Sequence, residues 1–348
     1  MTRTPRPAVQ VAGSICLDLL PRLPRGLILE EGALNNIGPL AIQAGGSVAN
    51  TGLTLAAIGS DVVLTADIGD DLFGSMLQAQ LAETHARLEL NKRSGRTTSY
   101  SVVLEPPAQD RMFFHHVGAN VDFDGTAVQP SAADVLHLGY PPLLPALTAD
   151  GARPLRTLLE RARAVGVTTS IDMAYVDPQS PAGAIDWPKL LADTLPLTDV
   201  FTPSLDDLSS TLGLVIDSDP HSLVTTAQSL VDRGAAIVLL TAGAAGLALA
   251  TGSRHRLAAS PVTAAVSDQW ADQRLFSPAA PVNVVRTTGA GDAAAAGLLD
   301  ALLRRRGPRL ALACAAHTAA VRVRGDSNYT HVLDNAIDAV GSVSDHKR

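Results

Sequence analysis

Thr287-Thr288-Gly289-Ala290-Gly291-Asp292-Ala293-Ala294-Ala295-Ala296-Gly297 joins a loop of small residues directly to an alanine-rich run. Alanine is the strongest helix former, so a helix is expected from Ala290 to Arg304. The first amides of a helix have no partner within it, and they stand at the positive end of its macrodipole. The junction is therefore an anion site suited to a phosphoryl group in transfer. Asp292 falls in the first turn of that helix. A carboxylate there serves simple N-terminal stabilisation as well as it serves catalysis, and this loop by itself leaves both readings open.

On either side of the junction, short β-rich runs alternate with Ala/Leu-rich amphipathic stretches, the pattern of βα units on a largely parallel sheet. The strands are expected at Val62 to Ile68, Val135 to Leu138, Val167 to Asp172, Asp199 to Thr202 and Ala236 to Thr241, after a first short one at Ala8 to Gly13. Helices are expected at Ser47 to Ile58, Asp71 to Glu83, Ala152 to Val165, Leu205 to Leu212, Ser222 to Arg233 and Arg309 to Arg322. Several strands end in Asp or Thr, which gathers polar side chains at the carboxyl edge where open α/β sheets bind ligands. Two regions break the rhythm. Residues 19–44 are rich in Pro, Gly and Leu, and residues 97–117 read as a pair of strands around Pro106-Pro107. Together they predict a small separate sheet that covers the site as a lid. Residues 258–284, with Trp270, read as a long irregular connection.

Composition narrows the function classes. The 348 residues are 46% apolar and 18% charged, and 27 basic against 34 acidic side chains give a formal net charge of −7. This is an ordinary globular composition, without the electropositive footprint of a nucleic-acid binder; the longest basic run is Arg304-Arg305-Arg306. Cys16 and Cys314 each lie in an apolar stretch and read as buried free thiols. The N-terminal residues lack a secretory apolar segment, and no run approaches the roughly 18 apolar residues of a membrane span. A cytoplasmic protein without a membrane partner is expected.

Three further motifs carry chemistry. Gly45-Gly46-Ser47-Val48-Ala49-Asn50 opens a helix with two glycines that admit a polyol close to the backbone, and Asn50 offers a donor and an acceptor to hydroxyls. Asp67-Ile68-Gly69-Asp70-Asp71-Leu72-Phe73-Gly74 lies between a strand and a helix and reads more readily as a cap than as a metal site. Thr241-Ala242-Gly243-Ala244-Ala245-Gly246 is a small-residue turn after an apolar strand, open enough to admit a nucleotide.

The order and spacing of these motifs resemble the ribokinase-like (PfkB-type) carbohydrate kinase family, from about Val9 to Val323. The resemblance implies an α/β fold with a central, mostly parallel sheet flanked by helices and a small β-sheet lid. It implies one kinase domain over residues 1–348, with lid segments at about 14–44 and 95–120. The implied activity is ATP-dependent phosphorylation of a hydroxyl on a sugar or sugar-like substrate, with ATP and Mg2+ as cofactors and a homodimer formed through the lid. Asp292 matches the family's catalytic base, and the amides of Gly289, Ala290, Gly291 and Asp292 match its anion hole. Asp18, Gly45, Gly46 and Asn50 match the sugar-binding set, while Thr241, Gly243 and Gly246 match the ATP-binding turn. Such chemistry asks mainly for alignment, charge neutralisation and one base.

Departures from the family pattern shape the rest of the reading. Arg286 stands where relatives carry an Asp that supports a monovalent-cation site, which argues against potassium activation. The family's Asn-x-x-Glu, which organises magnesium, appears as Ser204-Leu205-Asp206-Asp207, leaving Asp207 as the metal candidate with a shorter arm. The strand ending at Asp172 lacks the Asn-x-Arg of many relatives. Of the adjacent pair His115 and His116, at most one side chain faces the substrate, because successive strand residues point opposite ways. His116 and Asn120 are the expected sugar contacts; His317, Trp187 and Trp270 read as packing residues. Two alternatives stand beside the sugar kinase. One is an adenosine-type nucleoside kinase that stacks its base on Tyr100, Phe113 or Phe114; the other is a sugar-binding regulator with weakened turnover.

Overall fold

Strand β1 (Val9–Gly13) is buried along its whole length, as a strand covered by helices on both faces must be. Its side chains alternate, Val9 and Val11 entering one core and Ala12 the other. The computed structural model describes residues 9–24, 31–105 and 111–345. In it β1 belongs to a nine-stranded sheet that also contains β4 (Val62–Gly69), β5 (Arg87–Arg93), β8 (Val135–Gly139) and β9 (Thr168–Asp172). β10 (Val200–Phe201), β11 (Ile237–Thr241), β12 (Leu247–Thr251) and β13 (Arg274–Ser277) complete it. The order is β13-β12-β11-β10-β9-β8-β1-β4-β5, parallel except where β12 pairs antiparallel with both β11 and β13.

Helices cover both faces. On one side lie α1 (Gly46–Ala57), α2 (Leu72–Ala82), α10 (Ala290–Leu303), α11 (Pro308–Val323) and α12 (Val332–Asp345). The one-turn helices α7 (Arg254–Leu257), α8 (Pro261–Ala264) and α9 (Ser267–Trp270) close the end of that layer. On the other side lie α3 (Pro145–Ala164), α4 (Trp187–Thr194), α5 (Leu205–Leu212) and α6 (Pro220–Asp232). A second sheet, β3-β2-β6-β7, is built from β2 (Cys16–Pro21), β3 (Leu40–Gly45), β6 (Tyr100–Leu104) and β7 (Met112–His116). The chain passes from β1 into β2 through Ser14 and Ile15 alone, so the lid sheet is tied to the carboxyl edge of the large one.

The α/β architecture with a small β lid is the one the sequence predicts. The differences are local and have physical reasons. Residues 258–284 are not irregular: they hold α8, α9 and β13, and Trp270 is fully buried with its indole N–H donated to Arg306 O at 2.9 Å. β5 and β12 have no counterpart in the sequence reading. β5 is a charged edge strand (Arg-Leu-Glu-Leu-Asn-Lys-Arg), and β12 (Leu-Ala-Leu-Ala-Thr) is apolar but has Thr251 as its one β-branched residue, so neither has the usual strand composition. The helix expected at Ala152 is α3, which starts earlier but is non-helical from Ala149 to Ala152, so its regular part begins just past the expected residue. The expected hairpin is β6 antiparallel to β7, with Tyr100 opposite His116; its Pro106-Pro107 turn, like Ala8, lies outside the described residues.

Gly13 ends β1 with φ +123°, and a Cβ there would stand 2.5 Å from Gly139 O on β8. Both the backbone angle and the neighbouring carbonyl exclude a side chain. Gly13→Ala is expected to cost about 2–3 kcal/mol, read as a lower midpoint in urea unfolding; an unchanged midpoint would contradict the close approach of β1 and β8.

Candidate active site

Gly289 ends the loop before α10 in the left-handed conformation, φ +79°, which turns the chain into the helix. Among the described residues, the amides of Gly289, Gly291 and Asp292 have no backbone acceptor. Ala290 differs from the expected anion-hole set, since its N–H turns back to Thr287 O at 3.2 Å. Asp292 is 2% exposed. Its Oδ1 accepts from Thr51 Oγ1 at 3.0 Å, and its Oδ2 accepts from Tyr140 OH at 2.6 Å and Asn50 Nδ2 at 3.2 Å. Burial pushes its pKa up, and the hydrogen bonds from Tyr140, Thr51 and Asn50, together with the charge of Arg322, offset only part of that rise. A fixed carboxylate of raised basicity is the form a general base takes.

The lid supplies the opposite wall. Gln43, Asp18, Ser101 and His115 are cross-strand neighbours in one row, paired across β3, β2, β6 and β7. Asp18 is buried and accepts from Cys16 Sγ at 3.4 Å; burial raises its pKa to about 6. A Cβ on Gly45 would fall 2.3 Å from Asp18 Oδ2, so glycine is required for the lid to meet α1 here. Gly46 follows against Ser14 O, and Asn50 lies one turn into the helix. His115 shares a hydrogen bond with Ser101 through Nδ1 at 2.9 Å, while its Nε2 is buried without a partner among the described residues. Burial, aided by His116, lowers its pKa to about 4, so the ring is neutral at pH 7.

Two expected sugar contacts are corrected. His116 points to the other face of β7, where Nε2 meets Thr97 Oγ1 at 2.8 Å and the ring lies 5.3 Å from that of Tyr100. The inward histidine is His115. Asn120 is fully buried and clamps the Ser14-Ile15 turn, donating to Ile15 O at 2.9 Å and accepting from Ile15 N at 3.4 Å, so it holds the lid hinge rather than facing substrate. Tyr100 and Phe114 share the outward face with His116, leaving Phe113 on the inner one.

Thr241 ends β11 beside Ser204 and faces Gly291, and the turn through Gly243 closes with Ala242 N donating to Gly246 O at 2.9 Å. Asp207 forms a capping box with Ser204, its Oδ2 accepting from Ser204 N at 2.8 Å. Burial raises its pKa to about 6. Asp172 is buried nearby and held well above the usual carboxylate range by burial and by Asp292 and Asp207. Among the described residues, no three His, Cys, Asp or Glu side chains form a metal cage. A single carboxylate such as Asp207 would serve Mg2+ only in the other manner, in which one or two carboxylates bind an ion carried largely by phosphates. Asp71 caps α2, accepting from Gly74 N at 2.8 Å, and Asp67 pairs with Arg93 at 2.6 Å, so that motif is structural. Arg286 donates to Gln43 Oε1 at 3.3 Å. Thr51, Tyr140 and Arg322 belong to the site without any motif to announce them.

The folded chain keeps the Asp18 proton up to about pH 6, whereas the ordinary value is 3.8. Between those values the folded state binds a proton that the unfolded state has released, so this contribution to stability is present at low pH and is lost as pH rises through 6. Asp18→Asn, which never ionises, is expected to melt a few degrees above the wild type at pH 8 and level with it at pH 4. A variant that is no more stable at pH 8 would contradict the cost assigned to the buried charge.

Known proteins resemble this one along most of its length. The chain is 26% identical over 294 residues to a fructokinase of Rhizobium leguminosarum bv. trifolii, covering 83% of this chain and 78% of that protein. A ribokinase of Mus musculus is 25% identical over 299 residues, with coverage of 82% and 78%. Among solved structures, a ribokinase from Thermotoga maritima superposes with a TM-score of 0.69 at 18% identity, covering 96% of this chain and 99% of the other. An adenosine kinase from Sinorhizobium meliloti reaches a TM-score of 0.72 at 17% identity, with coverage of 96% and 100%. The model of the pfkB family carbohydrate kinases matches residues 9–331, the same span that holds Asp292, the lid row and the Thr241 turn; the chain belongs to that family.

Proposed function

We propose that the protein transfers the γ-phosphoryl group of ATP to a hydroxyl of a sugar or sugar-like polyol. The observation that carries this reading is the Asp292 carboxylate, immobilised by Thr51, Asn50 and Tyr140 in the first turn of α10 beside amides without backbone acceptors. The acceptor polyol lies between Asp18 of the lid and Asp292. Asp292 removes the hydroxyl proton while the new O–P bond forms and the bond to the leaving ADP breaks. The amides of Gly289, Gly291 and Asp292 face the charge that develops on the phosphoryl oxygens. Thr241, Gly243 and Gly246 receive the nucleotide. Asp207 would hold Mg2+, which when bound neutralises phosphate charge.

The inner lid row favours a polyol over a nucleoside. Gln43, Asp18, Ser101 and His115 are hydrogen-bonding side chains, whereas of the three aromatic candidates Tyr100 and Phe114 lie on the other face and only Phe113 is on the inner one. Exposed Leu40 and Phe114, both on the outer face of the lid, support a homodimer through that sheet. No helix among the described residues is long and apolar enough to cross a membrane, and the need for ATP favours the cytoplasm.

A panel of sugars, polyols and nucleosides assayed by ADP release tests the reading. Asp292→Asn is expected to lower turnover roughly 10² to 10⁴-fold with sugar and ATP affinities within a few fold; an Asn variant at wild-type turnover removes Asp292 from the chemistry. Asp207→Ala is expected to keep the fold and raise the magnesium concentration for half-maximal rate by about tenfold. Unchanged magnesium dependence would leave Asp207 with its capping role alone.

A further inference from the structure

Arg322 stands in the last turn of α11, half-buried, and is absent from the motifs that announce the site. Its Nε donates to Thr288 O at 3.0 Å and its Nη2 donates to Asn50 Oδ1 at 3.1 Å. Among the described residues it has no carboxylate within ion-pair distance.

Each of these bonds has a consequence for a neighbouring group. A guanidinium only donates, so it captures the oxygen end of the Asn50 amide and leaves the nitrogen end for Asp292. Asn50 Nδ2 indeed donates to Asp292 Oδ2 at 3.2 Å. With the amide reversed, its oxygen would face the carboxylate and repel it. At the loop, a trans peptide points its C=O and N–H in opposite directions. Anchoring Thr288 O to Arg322 therefore turns the Gly289 N–H away from α11, among the amides without backbone acceptors. A Cβ on Gly289 would stand 2.9 Å from Arg322 Nε, so glycine at that position also makes room for the guanidinium. The end of α11 holds the start of the loop as well, with Val285 N and Arg286 N donating to Val323 O at 2.9 and 3.1 Å.

We propose that Arg322 is a positioning residue for phosphoryl transfer, whose single guanidinium orients both the Gly289 amide toward the transferring group and the Asn50 amide toward the base. This rests on the kinase reading above. Arg322 touches neither the reacting hydroxyl nor the carboxylate; it acts through Thr288, Gly289 and Asn50. Among the described residues, the groups that face Asp292 are Asn50 and Thr51 of α1, Tyr140 after β8, Asp172 of β9, Asp207 of α5, Asp18 and Cys16 of β2, and Arg322. Arg322 alone of these is cationic, so its charge favours the ionised base while the surrounding acids oppose it.

Arg322→Gln and Arg322→Lys separate the two contributions. In Arg322→Gln, kcat is expected to fall about 10 to 100-fold with both KM values within about threefold, and the acid limb of kcat/KM is expected to move up by about one pH unit. Arg322→Lys keeps a charge and an aliphatic stem but not the two-pronged donor, so its acid limb is expected near the wild-type position while kcat remains lowered by about tenfold. The titration of Asp292 is followed in parallel by carboxyl-carbon NMR of aspartate-labelled protein, its signal assigned with Asp292→Asn, which needs no turnover. An Asp292 titration that Arg322→Gln leaves in place, or an Arg322→Lys enzyme with wild-type kcat, overturns the inference. If the wild type turns over no substrate while Asp292 titrates higher in Arg322→Gln, the kinase reading fails and the local effect of Arg322 stands.

Discussion

The site depends on the burial of one carboxylate. An ionised group removed from water is costly unless hydrogen bonds replace its hydration, and Asp292 is almost fully buried. Its replacement shell comes from distant parts of the chain: Asn50 and Thr51 open the first helix, and Tyr140 follows β8. These donors meet Asp292 only if α1 and α10 pack side by side on the same face of the sheet and β8 lies next to β1. The topology provides both. The fold is thus a device for presenting three donors to a carboxylate at the first turn of a helix.

The surroundings of that carboxylate are otherwise acidic. Asp18, Asp172 and Asp207 are all buried, and each has its pKa raised, first by burial. Uncompensated buried acids lower the stability of the folded chain at neutral pH, a cost that a protein carries only where the charges are used. The guanidinium of Arg322 is a group whose charge suits such a place. Arg93 performs the corresponding service for Asp67 and Arg163 and Arg256 do so for Asp199, in positions where the pairing is structural.

The lid follows from the pleat of its strands. Alternation places Asp18, Ser101 and His115 on the inner face and Tyr100, Phe114 and His116 on the outer one. Glu105 and Arg111 at the ends of β6 and β7 reach the loop itself, contacting Thr288 and Thr287. The lid sheet and the loop before α10 are therefore in direct contact, and the short Ser14-Ile15 link, clamped by Asn120, is where the lid joins the large sheet.

Much of this was legible in the sequence because it is local. Apolar runs of strand length between amphipathic stretches dictate a parallel sheet between helices. The small-residue junction at Gly289 to Asp292 and the glycines at 45 and 46 announce themselves because only such residues allow those backbone paths. The tertiary structure alone decided the rest. Which of His115 and His116 turns inward depends on strand register, since a shift of one residue exchanges the faces. Asn120 became a hinge clamp because Ile15 lies beside it in space, far away in the chain. Tyr140 and Arg322 carry no motif: one reaches Asp292 from a left-handed turn after a strand, the other reaches Thr288 and Asn50 from the far end of a helix. Local sequence sets backbone conformation and burial pattern, whereas hydrogen bonds between side chains so far apart along the chain exist only after the sheet order has brought their elements together.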